Sequence, residues 1–235
     1  MKTSTLFFQV TIILLSSFSL LSAQQEDLGS QQALMESSGG FYVTFNKKDM
    51  KAIGSPYLFE KFAPAHISAI PNEVFKVRYN AYDDEIEIQI DEDNIQNFNK
   101  NMKAVIVTML NSDLKFTSVK YIDDDSGIKT GYLISHTESN TKVKLYSRTQ
   151  IKHFQAKVAV TSYDIDKPAE FKKMSDTYFI SINGAYARKL STKKKNISNL
   201  FPQHSKDILN FIKKNKIKTS READLINLIN YINTL

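Results

Sequence analysis

The chain has 235 residues, with 31 Lys+Arg against 25 Asp+Glu, four His, no Cys and no Trp. An apolar share of 42% and a charged share of 24% are those of a globular protein, which excludes collagen-like, mucin-like and wholly disordered chains. The lack of cysteine excludes disulfides, thiol catalysis, Cys-ligated zinc and iron–sulfur clusters.

The N-terminus reads as an address. Lys2 precedes an apolar stretch over residues 6–21, diluted by Gln9, Thr11, Ser16, Ser17 and Ser19. Small Ser22-Ala23 ends it, and polar Gln24-Gln25-Glu26-Asp27 follows. This is the layout of a secretory signal peptide, with cleavage expected after Ala23. The stretch is shorter and more polar than the ~20 apolar residues that span a bilayer, and no later segment approaches that length, so no transmembrane span is expected in the mature chain. Without a cysteine a lipoprotein anchor is impossible, and a cysteine-free exported chain suits the periplasm or the exterior of a bacterium. Residues 24–40 are Gln-, Ser- and Gly-rich and are expected to form a flexible lead-in, with order starting near Phe41.

Strand patterns follow. Phe75, Val77, Tyr79 and Ala81 alternate with polar residues, as do Ile86, Ile88 and Ile90, and Asp83-Asp84 between them suits a tight turn. Residues 104–110 are nearly continuous apolar, as in a central strand. Residues 115–122 and 129–135 flank the turn-forming Asp123-Asp124-Asp125-Ser126-Gly127, residues 141–146 alternate with Val143 and Leu145 inward, and Phe154, Ala156, Val158 and Val160 suggest one more strand. Asn183-Gly184, between runs 177–182 and 185–190, is the strongest hairpin signal, because a type I′ turn needs positive φ at both positions. After residue 190 the period changes. Ser205 is placed to cap a helix bearing Ile208, Phe211 and Ile212. Thr219 and Glu222 have capping-box spacing ahead of a stripe of Leu225, Leu228, Ile229 and Ile232. About nine strands followed by two helices predict an α+β fold. Its β-rich body over 41–190 is a curved antiparallel sheet, sandwich or partial barrel, and its helical segment over 191–235 packs on that body.

Charge is uneven. Residues 24–127 carry 17 acids and ten bases, whereas residues 128–235 carry eight acids and 20 bases. Either the two halves offset each other in one fold or the basic half meets an anionic partner. Lys213, Lys214, Lys216 and Lys218 gather at the end of the first helix and are the candidate anion site; Lys193-Lys194-Lys195 is a separate basic run that could touch the same anionic polymers, and the ordinary alternative for both is a solvated helix end. Arg78, amid Tyr79, Asn80 and Tyr82, is a second candidate for holding an anion, although a cross-strand pair with Glu85 or Glu87 is the commoner use of such a residue. Glu85 and Glu87 themselves read as a solvated strand face.

Catalytic motifs are not found. His66, His136, His153 and His204 have no metal-ligand spacing, and neither Asp91-Glu92-Asp93-Asn94 nor the 123–127 turn fits a calcium loop, so no metal or cofactor is expected. Ser191-Thr192-Lys193-Lys194 matches SxxK without its companion motifs, and GxSxG is missing, so no catalytic residue is assigned.

The segments Gly54-Ser55-Pro56-Tyr57-Leu58, Val77-Arg78-Tyr79-Asn80-Ala81-Tyr82-Asp83-Asp84-Glu85-Ile86-Glu87 and Leu200-Phe201-Pro202, together with Ile212-Lys213-Lys214-Asn215-Lys216 and the closing Leu225-Ile226…Tyr231, resemble uncharacterised exported proteins of the Bacteroidota over most of the chain from residue 41. The resemblance implies export to the envelope and carries no activity. The expected function is a non-enzymatic envelope protein with a structural or binding role. Its partner would be an anionic envelope polymer or lipid head groups, not nucleic acid. The competing classes are an envelope hydrolase acting through carboxylates, and a carrier of an apolar ligand in a β-barrel mouth.

Overall fold

The computed structural model describes residues 40, 42–43, 51–102, 105–123, 127–160 and 163–235. The expected signal peptide, the lead-in except Gly40, and Phe41 as the start of order lie outside these residues. The chain divides into two units, Met1–Val43 and Thr44–Leu235. In the first, β1 (Tyr42–Val43) is a two-residue strand.

The second unit is α+β. Its strands are β2 (Ala63–Ile67), β3 (Ile70–Asn80), β4 (Glu85–Gln89), β5 (Ile95–Phe98), β6 (Ile106–Met109), β7 (Lys115–Asp123), β8 (Gly127–Ser135), β9 (Val143–Arg148), β10 (Ile151–Phe154), β11 (Glu170–Lys173), β12 (Thr177–Ile182) and β13 (Ala187–Lys189). Three helices follow: α1 (Lys194–Asn199), α2 (Ser205–Lys214), entered through a 3₁₀ turn at Pro202–His204, and α3 (Glu222–Ile232).

The main sheet runs β5-β4-β3-β2-β6-β7-β13-β12-β9-β8 and then returns, because β8 also pairs with β7. Its first part is a curved antiparallel sheet. Its second part, β7, β8, β9, β12 and β13, closes into a small barrel. Successive strands of that barrel run antiparallel, so the first and fifth of an odd number point the same way, and the closing pair β7–β13 is accordingly parallel. β7 can serve both parts because β6 takes one edge at residues 115–117 and β13 takes the same edge further on, at Tyr121 and Ile122.

One side chain from each barrel strand fills the interior: Tyr121, Leu133, Tyr146, Phe179 and Ala187 form a single buried cluster. The next residues along β9 and β12, Leu145 and Ile180, point outward into a second cluster with Val143, Leu190, Ile197, Ile208, Ile212, Ile217, Leu225, Leu228, Ile229 and Ile232. Both faces of β9 and β12 are therefore buried at mid-strand, where Leu145-Tyr146 and Phe179-Ile180 put apolar side chains on successive positions. The stripes expected on the two helices dock on each other and on the barrel, and Phe211 stacks on Tyr231 with ring centroids 3.9 Å apart. Each fully buried Leu or Ile of the stripe contributes about 1.5–3 kcal/mol. Asn233, just beyond α3, clamps the helix to the first residue of β9: its Oδ1 accepts the Val143 N–H at 2.9 Å and its Nδ2 donates to the Val143 carbonyl at 2.8 Å.

The Asn183-Gly184 turn is as expected, with φ of +52° and +76°. Other expectations need correction. The Thr219–Glu222 capping box does not form. The Thr219 hydroxyl donates to the Thr192 carbonyl, and the α3 entry is held by Asp224 Oδ2, which accepts the Lys218 N–H at 2.8 Å. Ser205 is the first residue of α2, not its cap. Strand β10 covers Ile151–Phe154, so Val158 and Val160 lie beyond it and are exposed. Glu87 is fully buried, not solvated, because Arg78 lies across the hairpin from it.

Candidate functional site

The two predicted anion sites have opposite fates. Arg78 on β3 faces Glu87 on β4 in register. Its Nε and Nη2 donate to Glu87 Oε2 at 2.8 and 2.5 Å, Nη2 also donates to the Tyr57 hydroxyl at 2.8 Å, and Nη1 reaches the Glu60 carbonyl at 3.3 Å. The rings of Tyr57 and Phe62 cover the guanidinium, with centroids 3.8 and 4.3 Å away. Burial and the Glu87 charge push the Tyr57 phenol up to about 12, so it stays a donor at neutral pH. Four of the five N–H donors of Arg78 are engaged inside the protein, and the cross-strand pair is its observed role.

The lysine cluster is different. Helix α2 ends in a Schellman motif: the Ile217 N–H bonds the Ile212 carbonyl at 3.0 Å and the Lys216 N–H bonds the Lys213 carbonyl at 3.3 Å. This puts Lys216 in the left-handed region at φ +51°, a position that ordinarily favours glycine. The motif folds the chain back so that Lys213, Lys216 and Lys218 line one groove of about 430 Å³, with Leu209, Ile212 and Ile217 also lining it and Lys194 of α1 completing it. Lys213 also borders a neighbouring groove of about 690 Å³ with Lys214, Asp207, Asn210 and the stacked Phe211 and Tyr231. Neither groove is a closed chamber. Among the described residues no carboxylate lies within ion-pair distance of Lys194, Lys213, Lys214, Lys216 or Lys218. Lys194 is the member that sequence reasoning placed in a separate run; only the packing of α1 on α2 brings it to the others.

Two constellations resemble chemistry and do not support it. His136 Nε2 lies 2.8 Å from the Ser147 hydroxyl and 3.6 Å from Glu222 Oε2. A nucleophilic triad needs the base to meet the serine and the carboxylate through different ring nitrogens, and here both meet Nε2. Ser147 is also buried, and burial pulls the His136 pKa below its ordinary value. The second constellation is the Asp84 cluster. Asp84, at φ +59°, accepts from the Tyr79 hydroxyl at 2.8 Å and the Tyr132 N–H at 3.2 Å. Lys100 Nζ donates to the Asp84 carbonyl at 2.7 Å and to Glu85 Oε1 at 2.6 Å. Burial pushes the Asp84 carboxyl upward, with Lys100 and the two hydrogen bonds opposing it. This cluster fixes the β3–β4 turn against β8 and opens on no groove described above. No group of three or more metal-ligating side chains occurs among the described residues, and no described helix is long and apolar enough to cross a membrane.

No known protein family, curated protein or solved structure matches the chain.

Proposed function

We propose that this protein is an exported, non-enzymatic envelope protein whose C-terminal helical cap binds an anionic envelope polymer. The observation that carries the reading is the groove of Lys194, Lys213, Lys216 and Lys218, four cations around an apolar floor with no described carboxylate in reach. Four like charges held together repel one another, and a polyanion relieves that repulsion. Lys216 adds to the case, since a lysine stands in a backbone conformation that glycine adopts more cheaply. Export is inferred from the signal-peptide layout over residues 1–23. The packed barrel interior favours this reading over a ligand carrier, and the His136 geometry favours it over a serine hydrolase.

The test is titration with polyphosphate and dextran sulfate, with neutral dextran as control. Wild-type protein binds both polyanions at low ionic strength, and charge reversal of Lys194, Lys213, Lys216 and Lys218 to Glu abolishes binding while leaving the circular dichroism spectrum unchanged. Equal binding by wild type and variant overturns the proposal. For the export arm, the mature N-terminus of secreted protein should map to Gln24.

A further inference from the structure

Strands β10 and β11 form a ribbon of their own. Its base is fixed to the body. Ile53 exchanges backbone bonds with Ala169 and Phe171, both at 2.8 Å, and Tyr82 packs edge-on against Phe171 and His153. Gly54 sits so close that a Cβ on it would lie 2.6 Å from the Phe171 carbonyl oxygen. Beyond Phe154 the ribbon leaves the body, with the Lys157 and Lys167 backbones exchanging two 2.8 Å bonds.

Two properties of this arm work against its own stability. The far part exposes Val158, Val160, Tyr163 and Ile165 at 74, 87, 98 and 81%. The ribbon also places lysine opposite lysine twice, Lys152 against Lys172 and Lys157 against Lys167, where like charges directly opposed are destabilising. No described carboxylate is within ion-pair distance of these four or of Lys173. The acids of the arm are Asp164, Asp166 and Glu170, against five lysines. Asp166 is occupied in accepting the Ala159 N–H at 2.7 Å.

We propose that this arm is a membrane-contact device: Val158, Val160, Tyr163 and Ile165 enter the interface of an anionic bilayer, and the paired lysines behind them meet the lipid head groups. Four exposed apolar residues, with Asp164 and Asp166 interleaved, lie ahead of the lysine pairs, and apolar groups ahead of cations is the order of layers that a bilayer presents, hydrocarbon first and anionic surface next. Tyr163 matches the amphipathic residues that favour that boundary. The arm shares no residue with the lysine groove, whose proposed partner is an anionic envelope polymer.

The chain has no tryptophan, so Tyr163→Trp makes a single-site reporter. Full mature protein carrying Tyr163→Trp is mixed with vesicles of phosphatidylglycerol and phosphatidylcholine, and with phosphatidylcholine alone. The expected result is a blue-shifted emission, quenched by brominated acyl chains, on the anionic vesicles. Adding Val160→Asp and Ile165→Asp should weaken partitioning on the order of tenfold or more. Adding Lys157→Gln and Lys167→Gln instead should remove the preference for anionic vesicles. Unshifted emission with anionic vesicles overturns the proposal. So does a shift that appears without vesicles and grows with protein concentration, which would assign the tip to a second copy of the chain. Vesicle binding that survives the tip substitutions but is lost on charge reversal of Lys194, Lys213, Lys216 and Lys218 also overturns it.

Discussion

The two halves of the chain handle charge in opposite ways. In the acidic half, three carboxylates around the β3–β4 hairpin are turned inward and matched: Glu87 is 1% exposed and holds Arg78, while Lys100 joins Asp84 and Glu85 at the β3–β4 turn; Asp91, Glu92 and Asp93 stay exposed. In the basic half the interior is apolar, from the barrel plug to the helical cap, and lysines stand outside and unmatched in the groove and along the arm. Among the described residues two pairs cross between the halves, Lys129 with Asp123 at 3.1 Å and Lys115 with Glu138 at 3.9 Å. The matched charges hold the β3–β4 hairpin, and the proposed binding rests on the lysines that have no described carboxylate within ion-pair distance.

The sharpest way to break this contrast is to strip one inward charge. Glu87→Ala leaves the Arg78 guanidinium buried without its counter-ion and should destabilise by about 3–5 kcal/mol in urea melts. The double variant Arg78→Met with Glu87→Leu should recover most of that loss. An apolar truncation in the other half, Leu228→Ala, should cost about 2–5 kcal/mol, because Leu228 is fully buried between helices and barrel.

Asp84 supplies a pH signature. Its folded-state pKa is raised by burial, so the contribution of this group is fully present below the ordinary carboxylate value and is lost as pH rises through the folded-state value. The stability difference between wild type and Asp84→Asn, followed by urea midpoints, should therefore shift against the wild type as pH climbs from about 4. A flat difference would contradict the buried setting of Asp84.

The smallest expected effect separates stability from binding. Lys216→Gly relieves a left-handed lysine and should stabilise by about 0.5–1 kcal/mol, while weakening polyanion binding through the loss of one charge. Stabilisation with unchanged binding would remove Lys216 from the site.

Much of the fold was legible because it rests on local periodicity. The alternation around Val77 and Ile86, the Asn183-Gly184 turn and the helical stripe of Leu225 to Ile232 each state their geometry within a few residues. Strand β2 was not legible: Ala63-Pro64-Ala65-His66-Ile67 carries a proline and little β propensity, and it is a strand because β3 and β6 pair with it on both sides. The barrel closure was hidden as well, since β7 and β13 meet across more than 60 residues of chain. For the site, the cluster 213–218 could be read directly, whereas Lys194 joined it only through packing of α1 on α2. The burial of Glu87 escaped detection because alternation assigned it the solvent face, and only the aromatic cover from Tyr57 and Phe62 made that face an interior.

The central claim is that the groove lysines bind through unmatched charge. The direct measurement is the affinity of the protein for polyphosphate as a function of salt, for wild type and for a variant with Lys194, Lys213, Lys216 and Lys218 changed to Gln. The account predicts a linear fall of log affinity with log salt, and a slope that shrinks by about one for each lysine in contact, up to about four for the full variant. An unchanged slope in the variant, or binding indifferent to salt in the wild type, would contradict it.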